Sequence, residues 1–357
     1  MEKKRSNIFN ALWGAGVRNR TLSFTIVIIA YIVLEMMRRT GRLSSLFTGL
    51  LVPVCCYIIA AIGLNLNVGI SGELNLGQAG FMSIGAFTGI SVSGCLAQSI
   101  PSPALRLVIS IVAAMLVAVV FGLLIGIPVL KLQGDYLAIV TLAFGQIIMS
   151  LVTNMYLGFD ENGFQFSFVE NSTKLAKGGK MLLSGPMGAT GTDRISTFTA
   201  GAVMIILSLI VVYNIIYSKS GRAIMAARDN RIAAESVGIN IARTKMLAFV
   251  ISAAMAGAAG ALYGLNYKTL VPAKFDFNTS ILILVFVVLG GLGNMTGTII
   301  ATVVLVLLPE LLRPIADYRM LTYAIILILT MIITNNPVIR RFFGGLRKRR
   351  GTAGKEA

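Results

Sequence analysis

There is no histidine anywhere in the 357 residues. That excludes His-ligated zinc, a haem held by His, a Ser-His-Asp triad and an imidazole proton relay. Cysteine is scarce too. Cys55, Cys56 and Cys95 stand in apolar runs without metal-ligand spacing, and they read as small core hydrophobes. Charged residues are 13% of the chain, against roughly 25% in an ordinary soluble domain. No G-x-x-x-x-G-K-[ST] stretch occurs; Gly178-Gly179-Lys180 is followed by Met181, so the chain carries no P-loop of its own. Nothing resembles an enzyme site, and no cofactor is expected on this chain.

What is plentiful is apolar. The chain is 56% hydrophobic with a mean hydropathy of +0.83. Several runs of about 18–25 apolar residues identify an all-α polytopic membrane protein. Ten spans are expected, over 21–37, 46–66, 77–97, 105–130, 136–156, 197–217, 246–266, 279–291, 297–312 and 320–335. The third follows a polar stretch and the eighth is short. Both are flanked by Gly, as broken or re-entrant segments are.

The net charge of +17 does not point to nucleic acid, because the basic residues are not interleaved with aromatics on a soluble domain. They cluster at the ends of apolar runs. The amino end, Lys131, the 218–245 loop and the tail hold 19 of the 31. An even number of spans puts both termini on one side, and the positive-inside rule makes that side cytoplasmic. Arg38, Arg39 and Arg42 are the exception, on the outer side. Residues 1–20 form a basic cytoplasmic segment, and the apolar run after them lacks a small-residue cleavage pattern, so it reads as an uncleaved first span. A transmembrane domain over 21–339 follows. The basic tail 340–357 reads as an anchor to anionic membrane lipid. The outer loop 157–196, with four acidic and four basic residues, either docks an external partner or is a floppy insert; its length does not decide between them.

The stretch GLNLNVGISGELNLGQAGFMSIGAFTG, residues 63–89, sets Asn65, Asn67, Ser71, Glu73, Asn75 and Gln78 inside apolar sequence and breaks it with Gly. Polar groups at bilayer depth are tolerated mainly where they face protein or a water-filled path, so Asn65, Asn67, Glu73, Asn75 and Gln78 are the candidate path-lining residues. Asn75 and Gln78 resemble a capping box for a helix starting near Gly77. Gly85-x-x-x-Gly89 and Gly260-x-x-x-Gly264 would permit close helix contact. Glu73 either lines the path or is a surface carboxylate near a helix amino end. Gly290, Gly291, Gly293 and Gly297 read first as a tight turn between spans, and Asp135 as a helix-start residue.

The loop SKSGRAIMAARDNRIAAESVGINIARTK, residues 218–245, has six basic and two acidic residues. Its Ala-rich part from Gly221 to Val237 predicts a helix stopped by Gly238. Such a helix would seat in a groove of a soluble partner, or else be a solvated loop of anchoring charges. Ala233-Ala234-x-x-x-Gly238 resembles the EAA loop of ABC importer permeases, with Ile232 where Glu is usual. Four strings in order resemble the LIV-type branched-chain amino-acid permeases, closest to their M-type subunit: residues 63–89, GDYLAIVTLAFGQII (134–148), GRAIMAARDNRIAAESVGIN with KMLAFVISAAMAGAAGALYG, and VLGGLGNMTGTIIA (288–301).

The resemblance implies a type II ABC importer-like fold and a membrane subunit that works by alternating access. It implies separate ATPase subunits that use ATP, a second permease subunit (a copy or a relative) and an extracytoplasmic solute-binding protein. The coupling helix on the ATPase would hold Gly221, Arg222, Arg228, Asp229, Arg231, Ala233, Ala234 and Gly238. The outer loop is longer than the glycine-rich pattern expected in that family. Urea, short amides, sugars and nucleosides are alternative solutes. An ion-coupled secondary carrier with Glu73 as coupling carboxylate is the alternative class.

Overall fold

Helix α9 (Ile241–Gly264) is the axis on which three membrane helices pack. Its second half, AAMAGAAGALYG, offers little but Ala and Gly over residues 253–264, which lets neighbouring backbones approach to contact. Helices α2 (Ser45–Asn65), α3 (Gln78–Leu96) and α4 (Pro103–Val129) pack against it. A methyl group at Gly85 would collide with the Gly257 backbone, and one at Gly260 with the Met82 carbonyl. One at Gly89 would lie 2.8 Å from the Ala261 Cβ. The two small-residue motifs expected to seat helices closely therefore lie on α3 and α9 and meet in one seam.

The computed structural model describes residues 2–97, 99–130, 135–160, 163–168, 180–312, 324, 325 and 328. The chain divides into two units, Met1–Thr302 and Val303–Ala357. Among the described residues, seven helical stretches are long and apolar enough to cross a membrane. They are the Arg20–Arg39 part of α1 (Glu2–Arg39), α2 with its continuation to Ser71, α3, α4, most of α5 (Asp135–Thr153), α6 (Phe198–Tyr217) and α9. The helix expected to start at Asp135 does start there. Outward faces are oily: on α4, Leu105, Val108, Val112, Leu116 and Val120 are exposed at helical spacing. Ala114 and Ala118 on the opposite face are buried. That inverts the pattern of a helix bathed in water and fits one bathed in lipid.

Two further apolar helices are shorter, α10 (Phe277–Gly290) and α11 (Met295–Leu311). At 1.5 Å per residue, α10 reaches about 21 Å, short of the roughly 30 Å hydrocarbon core. The chain is thus a multi-pass membrane protein with seven full-length spans among the described residues, and α10 and α11 fall where the eighth and ninth spans are expected. The span expected over 320–335 lies outside the described residues apart from 324, 325 and 328. In the second unit, the described part is the end of α11 and those three helical residues.

The chain is not purely helical. Between α5 and α6, β1 (Tyr156–Asp160) pairs antiparallel with β2 (Gly163–Ser167) and β3 (Lys180–Ser184), giving the order β2-β1-β3. Tyr156 lies opposite Ser167 on one side and Ser184 on the other. A two-residue pair, β4 (Ala189–Thr190) with β5 (Thr269–Leu270), ties the same loop to the chain after α9. This marks the sheet end of the bundle. At the other end, α6 runs into α7 (Lys219–Asp229) and α8 (Arg231–Ser236), the connector leading back into α9.

Candidate functional site

α2 does not end as an α-helix. The six residues that continue it, Leu66–Ser71, wind as a π-turn that closes on Gly72 at φ 76°. π-turns are rare and concentrate at functional sites. From Gly72 to Gly77 the chain is irregular, and α3 begins at Gln78. This irregular backbone climbs into the bundle. Glu73 pairs with Lys245, in the first turns of α9. Five residues on, Gln78 lies level with Ser252, at the middle of α9. Non-helical backbone at such depth must find protein partners for its polar groups. In the break, Leu76 N–H donates to the Thr141 hydroxyl at 3.1 Å and Glu73 N–H to the Asn67 carbonyl at 3.2 Å, and in the first turn of α3 Ala79 N–H donates to the Ser280 hydroxyl at 3.1 Å. Gln78 Nε2 donates to the Ala60 carbonyl at 3.1 Å.

All five polar residues singled out from the sequence are at most 8% exposed. Asn65 is fully committed: Nδ2 donates to the Thr298 hydroxyl at 2.8 Å, and Oδ1 accepts from the Gly293 backbone at 2.8 Å. It fastens α2 to the turn between α10 and α11. In that turn Gly291 and Gly293 have φ of 93° and 79°, and a methyl at Gly290 would strike Thr298. The reading of these glycines as a tight turn holds. Asn75 does not cap α3 as a capping-box residue. Its Oδ1 accepts from the Gly77 N–H at 2.9 Å, two residues on, and the N-cap is Gly77. The box fails because Asn75 precedes the helix by three residues, which suits a turn around Asn better than a cap.

Asn67 stands apart. Its residue is fully buried, and neither Nδ2 nor Oδ1 has a hydrogen-bond partner among the described residues. Ser71, four residues along the same π-turn and 2% exposed, has an unpartnered Oγ as well. Each such group costs about 1–3 kcal/mol when left unsatisfied. Glu73 is neither a bare surface carboxylate nor a cap on α3, since Ser280 and Gly77 serve the first turn of α3 instead.

The connector departs from the single helix predicted over Gly221–Val237. It breaks at Asn230, whose backbone is extended (φ −153°, ψ 105°) and whose Oδ1 caps α8 by accepting from Ala233 N–H at 3.0 Å. Asn favours caps over helix interiors, and this one starts a second helix. The stop at Gly238 holds: it takes φ 84° two residues after α8. Gly221 is buried where a methyl would strike the Ile215 and Ile216 carbonyls, so it permits the tight exit from α6. Arg222 donates to the Tyr217 carbonyl at 3.3 Å, and Arg231 pairs with Glu235 at 3.2 Å. Ala234 is buried with Ala227 and Ile241, whereas Ala233 faces outward. Ile232 is 81% and Val237 75% exposed.

Arg228 joins the two regions. Its Nη1 donates to the Gly69 carbonyl of the π-turn at 2.9 Å, and its Nε and Nη2 reach Asp229 Oδ1 at 3.0 and 2.9 Å. Arg228 thus pairs with Asp229 beside it on the connector and at the same time reaches the π-turn that continues α2. Lys245, Thr141, Ser280, Thr298 and Ser252 were not singled out. A Ser or Thr inside an apolar span barely registers in hydropathy, and Lys245 reads as an anchoring charge.

At the sheet end, a cavity of about 240 Å³ is lined by Ile90, Ser93, Leu182, Thr192, Asp193 and Leu265, among others. None of the five path candidates lines it. Arg106 of α4, 7% exposed, reaches Asp193 beside it at 2.8 Å.

The family model described as the branched-chain amino acid transport system permease component matches residues 46–334. The chain is 37% identical over 219 residues to the high-affinity branched-chain amino acid transport system permease protein LivM of Salmonella typhimurium, and equally to that of Escherichia coli. Each alignment covers 58% of this chain and 52% of the relative, so the matched part spans about half the length of these curated relatives. The probable permease LivH of Methanocaldococcus jannaschii is 34% identical over 116 residues, 32% of this chain and 34% of that one. No solved structure matches.

Proposed function

With the chain a member of the branched-chain amino acid transport permease family, we propose that it is the membrane subunit of an ATP-driven importer for branched-chain or related amino acids. It works by alternating access in a type II ABC importer-like fold. Two ATPase subunits hydrolyse ATP beneath the connector end. A second permease subunit completes the path, and a solute-binding protein docks at the sheet end. The connector end and both termini are cytoplasmic, since the basic residues of 218–245 lie there.

The observation that carries this reading is the irregular stretch Gly72–Gly77, threaded from Lys245 at the connector end to the level of Ser252 at mid-bundle. Broken helices that meet at mid-depth are the usual architecture of a membrane solute site. Here α3 begins at that depth and α10 supplies Ser280 to its first turn. Asn65, Asn67, Glu73, Asn75 and Gln78 line or frame the path. Gly221, Arg222, Arg228, Asp229, Arg231, Ala233, Ala234 and Gly238 make up the coupling element. The apolar tips Ile232 and Val237 seat in the ATPase groove in the helix-in-groove mode.

The test is purification of the tagged protein from its own membranes in mild detergent, with mass spectrometry of what accompanies it. A P-loop ATPase and a second permease are expected, and the co-purifying binding protein is then screened for solutes. A solitary protein that transports in proteoliposomes on an ion gradient without ATP overturns the proposal in favour of a secondary carrier.

A further inference from the structure

The connector is joined by the chain to α6 and α9, yet its side chains hold on to α2. Arg228 is the last basic residue of α7, and its guanidinium is shared between Asp229 on the connector and the Gly69 carbonyl on the π-turn. The π-turn is shaped to take it. Gly72 has φ 76°, and a methyl group there would sit 2.6 Å from Arg228 Cγ. Gly69 has no room for a side chain between Asn65 and Gly293. On the far side of the same break, Lys245 holds Glu73. Within the turn so held, Asn67 and Ser71 are buried without hydrogen-bond partners among the described residues.

A π-turn holds about one residue more per turn than an α-helix, so rewinding Leu66–Ser71 as α-helix would rotate and shift the chain that follows it. A turn clamped from outside, with polar groups left unpaired inside, has what a two-state element needs: a releasable hold and groups that gain partners on release. We propose that the π-turn Leu66–Ser71 receives the motion of the connector, with Arg228 as the positioning residue that keeps it wound. When the connector draws Asp229 and Arg228 away, the turn rewinds as α-helix, and Asn67 and Ser71 swing toward new partners on the path side. The inference deepens the transport reading and rests on it, because it names the part of the membrane bundle that the coupling element drives.

The test has two arms. The first uses the membrane-embedded chain alone, with Cys55, Cys56 and Cys95 replaced by Ala and Ser71→Cys as the reporter. Labelling of this position by a maleimide is slow in the parent, where residue 71 is 2% exposed. Arg228→Met is expected to speed it about tenfold, in the range of ordinary site-to-site coupling. Arg228→Lys, which keeps a donor for Gly69, leaves it slow. A Ser252→Cys reporter, at a fully buried position in α9, stays unreactive in both. Equal labelling of residue 71 in all three backgrounds, or parallel labelling of residue 252, overturns the clasp.

The second arm measures solute uptake and ATP hydrolysis in the complex reconstituted with its co-purified ATPases and binding protein. Arg228→Met is expected to lower solute moved per ATP about tenfold while hydrolysis persists, and Arg228→Lys to restore it. An unchanged ratio in an active complex overturns the clasp. A parent complex without ATP-driven uptake overturns the transport reading instead, and the labelling arm then still judges the clasp.

Discussion

Asn65 accepts the backbone N–H of Gly293 at 2.8 Å, a hydrogen bond between residues 228 positions apart in the chain. Because the same amide donates to Thr298, one buried side chain holds the end of α2 against the turn that joins α10 to α11. Asn65→Leu fills similar space but strands the Gly293 N–H and takes away the donor to the Thr298 hydroxyl, which keeps its own bond to the Asn294 carbonyl. It is expected to cost about 2 kcal/mol, the scale for buried groups left unpaired. Thermal unfolding in detergent checks this, and an unchanged midpoint would mean that water takes over both partners.

At the sheet end the ion pair of Arg106 and Asp193 is asymmetric, with side-chain exposures of 9% and 56%. Asp193→Asn leaves the buried guanidinium without its counter-charge and is expected to destabilise by about 1–3 kcal/mol, reduced from the fully buried case by solvent at the carboxylate. The double variant Arg106→Met/Asp193→Asn is expected to recover most of that loss. A double-mutant cycle read by thermal unfolding gives the answer, and additive losses would argue against pairing.

The seam of α3 against α9 has no space for a side chain at Gly85, where the obstacle is the Gly257 backbone. Gly85→Leu is expected to cost 3 kcal/mol or more, roughly the upper range for overpacking, and to abolish a monodisperse peak in size-exclusion chromatography. Gly49→Ala is the control, since nothing lies within 4 Å of the added methyl. Its effect is expected to stay within about 0.5 kcal/mol.

Gly238 closes the connector at φ 84° with open space around it. Gly238→Trp therefore meets no steric obstacle within the chain, yet it must adopt a left-handed backbone at a cost of about 1–2 kcal/mol. On the coupling proposal it reshapes the docking surface beside Val237 and lowers ATP-driven uptake about tenfold, with membrane insertion unchanged. Normal uptake would remove Gly238 from the coupling element.

Much of this was legible in the sequence because it is written in composition and spacing. The long apolar helices, the small-residue motifs on α3 and α9, the Gly turn after α10 and the stop at Gly238 follow from local rules that neighbouring residues obey. One strand of the sheet, β2, carries a period-2 signal in Phe164-Gln165-Phe166-Ser167, but its pairing with β1 and β3 leaves no local trace. The π-turn was not readable, because LNVGIS has the composition of the helix it interrupts and one extra residue per turn leaves no compositional trace. The same holds for the partners of the polar stretch. Nothing local says that Asn65 needs Thr298 or that Gln78 needs Ser252. The break at Asn230 sits in an Ala-rich run whose propensity outweighed one cap-forming residue.

The Ala and Gly seam along α9 has a mechanical consequence. Where backbones touch with only methyl groups between them, there are no long side chains to change rotamer and let one helix slide past another. α3 and α9, which meet backbone to backbone along this seam, are therefore expected to travel as one body, like the leaves of a locked hinge. Opening of the bundle is then expected where contacts run through hydroxyls and amides instead of bare backbone, as between α10 and the first turn of α3, where the Ser280 hydroxyl meets the Ala79 N–H.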